Sequence, residues 1–325
     1  MTTTPPSDAG SGPADPEQEA SAPACVMSFN ASDPSGASGL AGDVATIAAM
    51  GAHALPVVTS IVMRDTAEIF DQHAIEGDAI VEQARYVLED VTLSGFKVGF
   101  LGSAENVSAV AEILSDYAEV PLVSYLPALA WLEDDEAQSY LDAFRELILP
   151  ATEVLVGNHK TLTDFLLPDW DSDRPASPRE LAVAAAEHGT RYVLVTGVML
   201  PPKGNASQFI DNVLASAQGA LTGEKFELFE VSFVGAGDTL AAALASLLAL
   251  GSELQAAVGE ALQFLDQSLD AGFRPGMGNI IPDRFFWALP PEDGEELPAG
   301  EAGVEPDETP PSEPSPPPGG SRRVH

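Results

Sequence analysis

Residues 226–250 read FELFEVSFVGAGDTLAAALASLLAL, and the order of features in this stretch decides the class of fold. The run 226–233 reads as a strand, Gly235-Ala236-Gly237-Asp238 as a tight turn, and 239–250 as a long apolar helix. Two glycines let the backbone turn sharply, so successive amide N–H groups can point at an anion, and the helix adds its positive dipole end at the same place. An aspartate in the first turn of such a helix lies within reach of a hydroxyl held near a γ-phosphate. It can accept the hydroxyl proton while the amides stabilise charge on the transferring group. An ordinary Asp cap on a buried helix has the same local pattern, so the turn alone admits both readings. Leu240 stands where a dinucleotide fingerprint needs its third glycine, and no Gly-Lys-Ser/Thr follows, which excludes those two phosphate loops.

Working outward, short apolar runs alternate with helical patterns. Strands are expected at 25–29, 54–63, 96–101, 120–125, 154–156 and 192–196. Helices are expected at 39–50, 78–90, 104–117, 136–147, 178–188 and 253–271. This rhythm predicts an α/β fold whose central, mostly parallel sheet is flanked by helices on both faces. Residues 1–24 and 290–325 are rich in Pro, Ser, Gly and Glu and are expected to be disordered tails around one domain at 25–289.

The chain has 325 residues, 50 acids against 14 bases and a net charge of −36. The tails hold thirteen of the acids and two arginines, so the body keeps 37 acids against 12 bases. Such a field repels nucleic acid and anionic membranes, and no nucleic-acid or membrane partner is expected. An anionic substrate then needs local help from helix N-termini or a metal ion. Cys25 is the only cysteine, which excludes an internal disulfide and a cysteine metal cluster. No secretory leader and no apolar run of spanning length is visible, so a cytoplasmic protein is expected. The five histidines lack metal-ligand spacing, and Trp131, Trp170 and Trp287 are read as packing groups.

A second polar loop, ASDPSGASG at 31–39 with Asp43 one turn later, follows the first strand, where ligands dock on parallel sheets. Taken with the Gly-Ala-Gly-Asp turn, Ser32-Asp33-Pro34-Ser35-Gly36 and Asp43 resemble the signature of hydroxymethylpyrimidine and phosphomethylpyrimidine kinases, of the ribokinase-like superfamily. Lys97-Val98-Gly99-Phe100-Leu101 is similar to that family's Lys-Ile-Gly-Met-Leu segment, and the likeness runs over about 25–270. The resemblance implies a three-layer fold and transfer of phosphate from ATP, with Mg2+, to the hydroxymethyl group of an aminopyrimidine, then to its monophosphate. It makes Asp238 the base, where these kinases usually carry cysteine, and Gly235 and Gly237 the anion hole. Asp43 matches the pyrimidine-holding position, with Asp33 and Gly36 in the same loop. Asn158, Thr196 and Gly197 match nucleotide positions, and the relatives suggest a homodimer. No magnesium ligand is assigned.

Four positions depart from the family pattern. Arg64 replaces a pyrimidine-binding glutamine, and Leu126-Pro127 replaces Asp-Pro. Asn158-His159-Lys160-Thr161 lacks a carboxylate at Thr161, and Thr196 replaces a lysine before Gly197. Arg64 is read either as a bidentate partner for phosphate or carboxylate or as the partner of a surface acid. Lys160 or Lys203 is a candidate for the missing cation. Two alternatives follow: a kinase for pyridoxal or another small alcohol, and a non-catalytic ligand sensor.

Overall fold

The structure, a computed structural model, describes residues 22–201, 208–229 and 231–288. The expected tails fall almost wholly outside these residues, as does Lys203.

Nine strands form one sheet in the order β3-β2-β1-β4-β5-β6-β7-β8-β9. The strands are β1 (Cys25–Ser32), β2 (His53–Arg64), β3 (Ile69–Ala74), β4 (Gly95–Val98), β5 (Leu122–Tyr125), β6 (Val154–Asn158), β7 (Tyr192–Met199), β8 (Phe209–Ser216) and β9 (Gly219–Glu227). The run from β2 through β1 and β4 to β7 is parallel, and the two margins are antiparallel.

Because successive strand residues face opposite sides, each strand feeds two cores. Met27, Phe29, Phe96, Val98, Leu122, Leu155 and Val193 face one helical layer. That layer contains α2 (Gly77–Leu88), α3 (Ala104–Ser115), α4 (Asp134–Ala143), α5 (His159–Leu166) and α6 (Pro178–Glu187). Val26, Val123, Val154, Val156 and Leu194 face α1 (Gly39–Ala49), α7 (Ala236–Ala249) and α8 (Leu254–Asp270). The fold is thus the expected three-layer α/β arrangement. Local chemistry sets several boundaries: Ser177 and Glu180 form a reciprocal capping box at the start of α6, with Pro178 at its first position. No helix among the described residues is long and apolar enough to cross a membrane.

The structure corrects four local expectations. The strand read at 226–233 does not run into the Gly235 turn; β9 ends at Glu227 on an antiparallel margin, and Phe233 instead bridges to Ile280. The strand read at 96–101 stops at Val98, because the N–H groups of Phe100 and Leu101 donate to Asn30 Oδ1 and Tyr140 Oη rather than to a neighbouring strand. The helix read at 136–147 is α4 followed by a π-helical turn, Phe144–Ile148. Finally, β3, α5 and β8 were not expected. Of these, β3 is a polar margin strand without a buried residue, while β8 lies inside the sheet and buries Asn212 and the stretch from Leu214 to Ser216.

Candidate functional site

Period two places Ser28, Asn30 and Lys97 on the sheet face beneath α1 and α7, where Asp43 and Asp238 come down to meet them. Lys97 Nζ donates to Asp43 Oδ2 at 2.9 Å and to Asp238 Oδ1 at 2.6 Å. Asn30 Nδ2 donates to the same two oxygens at 2.9 and 2.8 Å, and Ser28 Oγ to Asp43 Oδ2 at 2.7 Å. The Gly39 N–H donates to Asp238 Oδ2 at 3.1 Å. Asp238 therefore binds across three other elements, β1, β4 and α1, and does not cap its own helix.

The charges in this cluster oppose one another. Burial pushes the Asp238 carboxyl up, but the Lys97 ammonium overcomes that and holds it below the usual aspartate value. Burial also pulls Lys97 down, while the two carboxylates hold it above the ordinary lysine value. Asp43 goes the other way: burial, with the charge of Asp238, raises it against the pull of Lys97. Its Oδ1 is buried without a hydrogen-bond partner, which disfavours the ionised form further.

Above this cluster lies a cavity of about 730 Å3 whose wall includes Asn30, Asp33, Arg64, Tyr125, Gly235 and Asp238. Burial and the charge of Asp238 raise the Tyr125 phenol, which stays a protonated donor facing the cavity. Trp131 also lines the cavity and packs edge-on against Phe100 at 5.2 Å, so it is a wall residue as well as a packing group.

The residues singled out in the sequence separate into three groups. Asp238, Gly235, Asp33 and Arg64 meet at the cavity. Asp33 organises its loop, accepting from the N–H and Oγ of Ser35 and of Ser38 at 2.6–2.9 Å. Arg64 Nη1 stands 3.4 Å from Asp33 Oδ2 and 3.2 Å from Ser38 Oγ. Gly36 and Gly237 are close by but off the wall, and Asp43 lies wholly buried beneath it. Asn158, Thr196 and Gly197 form a separate group, Asn158 at the end of β6 and paired with Thr196 on β7. Asn158 Oδ1 caps α5 by accepting from Thr161 N–H at 2.9 Å, and the Gly197 N–H donates to Asn212 Oδ1 at 3.1 Å. Lys160 pairs with Asp164 on the exposed side of α5.

Gly235 begins α7 at φ +89°, and a Cβ there would sit 1.7 Å from the Ala37 carbonyl oxygen. A Cβ on Gly237 would meet the Tyr125 ring at 2.3 Å. Both glycines let α7 start against the β1–α1 loop and the cavity wall, with its first amides open. Gly235→Ala is expected to destabilise the protein by about 2 kcal/mol or more, from left-handed strain plus the clash. A urea midpoint equal to that of the unmutated protein would contradict this geometry.

Sequence reading missed Lys97 as a charged member of the site, and it missed Ser28, Asn30, Tyr125 and Arg284 entirely. A lysine in an otherwise apolar strand, GFKV at Gly95–Val98, was the one available signal.

A family model described as phosphomethylpyrimidine kinase matches residues 33–283. The hydroxymethylpyrimidine/phosphomethylpyrimidine kinase of Mycobacterium tuberculosis is 31% identical over 267 residues, which cover 79% of this chain and 92% of that protein. Among solved structures, an ADP complex of Bacillus subtilis pyridoxal kinase superposes with a TM-score of 0.71 at 20% identity, covering 83% of this chain and all of the other. A phosphomethylpyrimidine kinase from Clostridium difficile superposes with a TM-score of 0.58 at 21% identity, covering 74% of this chain and 98% of its own.

Proposed function

The chain belongs to the phosphomethylpyrimidine kinase family of small-molecule kinases, and we propose that it transfers the γ-phosphoryl group of ATP to hydroxymethylpyrimidine or its monophosphate, as in thiamin biosynthesis. One observation carries the reading: Asp238, whose carboxyl Lys97 holds below the usual aspartate value, borders the cavity at the open N-terminus of α7. An alcohol seated there donates its hydrogen bond to Asp238. As the oxygen attacks phosphorus its proton becomes acidic, and a carboxylate of low pKa takes it late in the transfer. The first amides of α7, opened by Gly235 and Gly237, face the developing charge. Tyr125 remains protonated beside Asp238 and is available to orient the acceptor. Asn158, Thr196 and Gly197 are assigned to the nucleotide.

Asp33 and Gly36 shape the acceptor loop, and Arg64 gives the cavity a cation. Arg64 favours an acceptor that already carries phosphate, with which a guanidinium pairs bidentately. The described residues contain no group of three or more His, Cys, Asp or Glu placed for a metal ion, and Thr161 lacks a carboxylate. They offer no protein-built cage for magnesium, so that ion would be held mainly by the phosphates of ATP.

The second reading, a kinase for pyridoxal or another small alcohol, is favoured by Arg64 in place of the expected glutamine and by Asp238 in place of cysteine. ATP consumption with hydroxymethylpyrimidine, its monophosphate and pyridoxal in parallel separates the two. The first reading expects the pyrimidines to give kcat/KM at least about tenfold above pyridoxal, a difference of about 1.4 kcal/mol. A preference for pyridoxal overturns it, and tight pyrimidine binding without turnover would mark a ligand sensor.

A further inference from the structure

Residues 272–284 follow α8 and form no wall of the cavity, yet they touch three segments that do or that adjoin it. The N–H groups of Gly278 and Asn279 donate to Thr66 Oγ1 and O at 3.1 and 2.9 Å, holding the β2–β3 turn that carries Arg64, Ala67 and Glu68. Ile280 exchanges hydrogen bonds with Ser232 and Val234 at 3.1 and 2.9 Å, holding the approach to Gly235. Asp283 N–H ties the segment back to Ser268 on α8 at 2.9 Å.

The segment ends in Arg284, which is only 5% exposed. Its Nη2 donates to the Ala37 carbonyl at 2.6 Å, Nη1 to the Gly36 carbonyl at 3.4 Å, and Nε to Thr239 Oγ1 at 3.0 Å. A Cβ on Gly235 would stand 2.9 Å from Nη2, and one on Gly42 would stand 2.8 Å from it. The guanidinium is thus wedged between the starts of α1 and α7. Among the described residues no carboxylate forms an ion pair with it. Burial holds its pKa below the ordinary arginine value, but a guanidinium stays charged at neutral pH. A buried cation beside two helix N-termini is electrostatically costly, since all three are positive, and the nearby carboxylates of Asp238, Asp43, Asp33 and Asp283 offset only part of that cost without touching it. Its cost falls when an anion occupies the site in front of α7.

We propose that Arg284 is a positioning residue for the phosphoryl transfer assigned above, on which this inference rests. Its fork pins the β1–α1 loop to the Gly235 turn, and its charge stands behind the anion-binding amides of α7. Arg284 touches neither substrate nor reacting atoms. It acts through the position of Gly39, which hydrogen-bonds Asp238, and through the field at the turn.

The test compares Arg284→Met and Arg284→Lys with the unmutated full chain, by steady-state kinetics and by amide hydrogen exchange. Misplacing reacting groups by about 1 Å through a residue away from the chemistry costs about a hundredfold in rate. Arg284→Met is expected to lose about that much, with KM for ATP and alcohol within about threefold. Arg284→Lys keeps the charge but not the fork and should lose only about tenfold. In the Met variant, amides of 36–39 and 235–239 should exchange faster, while those of β4–β6 stay unchanged. Unchanged kcat in either variant, or a loss confined to KM, overturns the proposal. If Arg284→Met does not fold, the Lys variant decides on the same split of kcat against KM. If the unmutated protein consumes no ATP with any alcohol, the kinase reading fails by itself. The exchange data still judge the pinning by Arg284, and unchanged protection at 36–39 and 235–239 then refutes it.

Discussion

Asp238→Asn is expected to lower kcat by about a hundredfold or more, the usual range for losing a general base, while KM for the alcohol stays within about threefold. Asparagine keeps the shape, and its one oxygen can still accept from Lys97 Nζ and Asn30 Nδ2, while its NH2 then faces the Gly39 N–H and that bond is lost. It cannot accept the proton that the attacking hydroxyl must lose. The pH profile supplies a second readout. Lys97 holds the Asp238 carboxyl below the usual aspartate value, so the base stays ionised through neutrality and activity falls only when pH drops below that ordinary value. That acid limb should vanish in the variant. ATP consumption with hydroxymethylpyrimidine measures both, and a variant within about tenfold of the unmutated kcat removes Asp238 from the base role.

Lys97→Met is expected to have the largest effect on stability. The lysine side chain is fully buried between two carboxyl groups. Removing one member of a buried ion pair typically costs about 3–5 kcal/mol, because it leaves uncompensated charge in low dielectric. The sign of its pH dependence can be worked out. In the unmutated chain Asp238 is depressed, so its stabilisation is present above the unfolded aspartate value and is lost as pH falls through the folded one. Lys97 is raised, so its share is complete below the unfolded lysine value and is lost only at alkaline pH. The Asp238 change thus lies below the ordinary aspartate value, and between pH 8 and pH 5 only the raised Asp43 acts, adding stability as it takes up a proton. Without the ammonium both carboxyls titrate above their unfolded values, and protonation then favours the folded state. The variant should therefore gain more stability than the unmutated protein as pH is lowered from 8 to 5. Urea midpoints at the two pH values test this, and a variant that parallels the unmutated protein at both would show the triad to be energetically idle.

The parts of the site that were legible are those whose chemistry is local. Gly235, Gly237 and Asp238 sit within four residues at the head of an apolar helix, and the Asp33 loop is a run of turn formers; both patterns are readable over a few residues. The strand read at 226–233 was misplaced because polar margin strands and irregular segments share a composition that periodicity does not resolve. The unexpected strand β3 has the same cause: a half-exposed margin carries no buried apolar run.

Periodicity was enough to set the alternation of strand and helix, and with it the three-layer class, because burying one face of each element leaves few arrangements for such an order. The acidity and the single cysteine likewise follow from composition. Which charges meet was settled only when the layers closed. Lys97 finds its partners 54 and 141 residues away, and Arg284 reaches Ala37 across 247. A buried charge is tolerated only where opposite charge or dipoles surround it. That surrounding belongs to the packed layers and to no single segment, so Lys97 and Arg284 acquire their roles from tertiary contact, while Asp238 and its glycines are already marked by the turn that holds them.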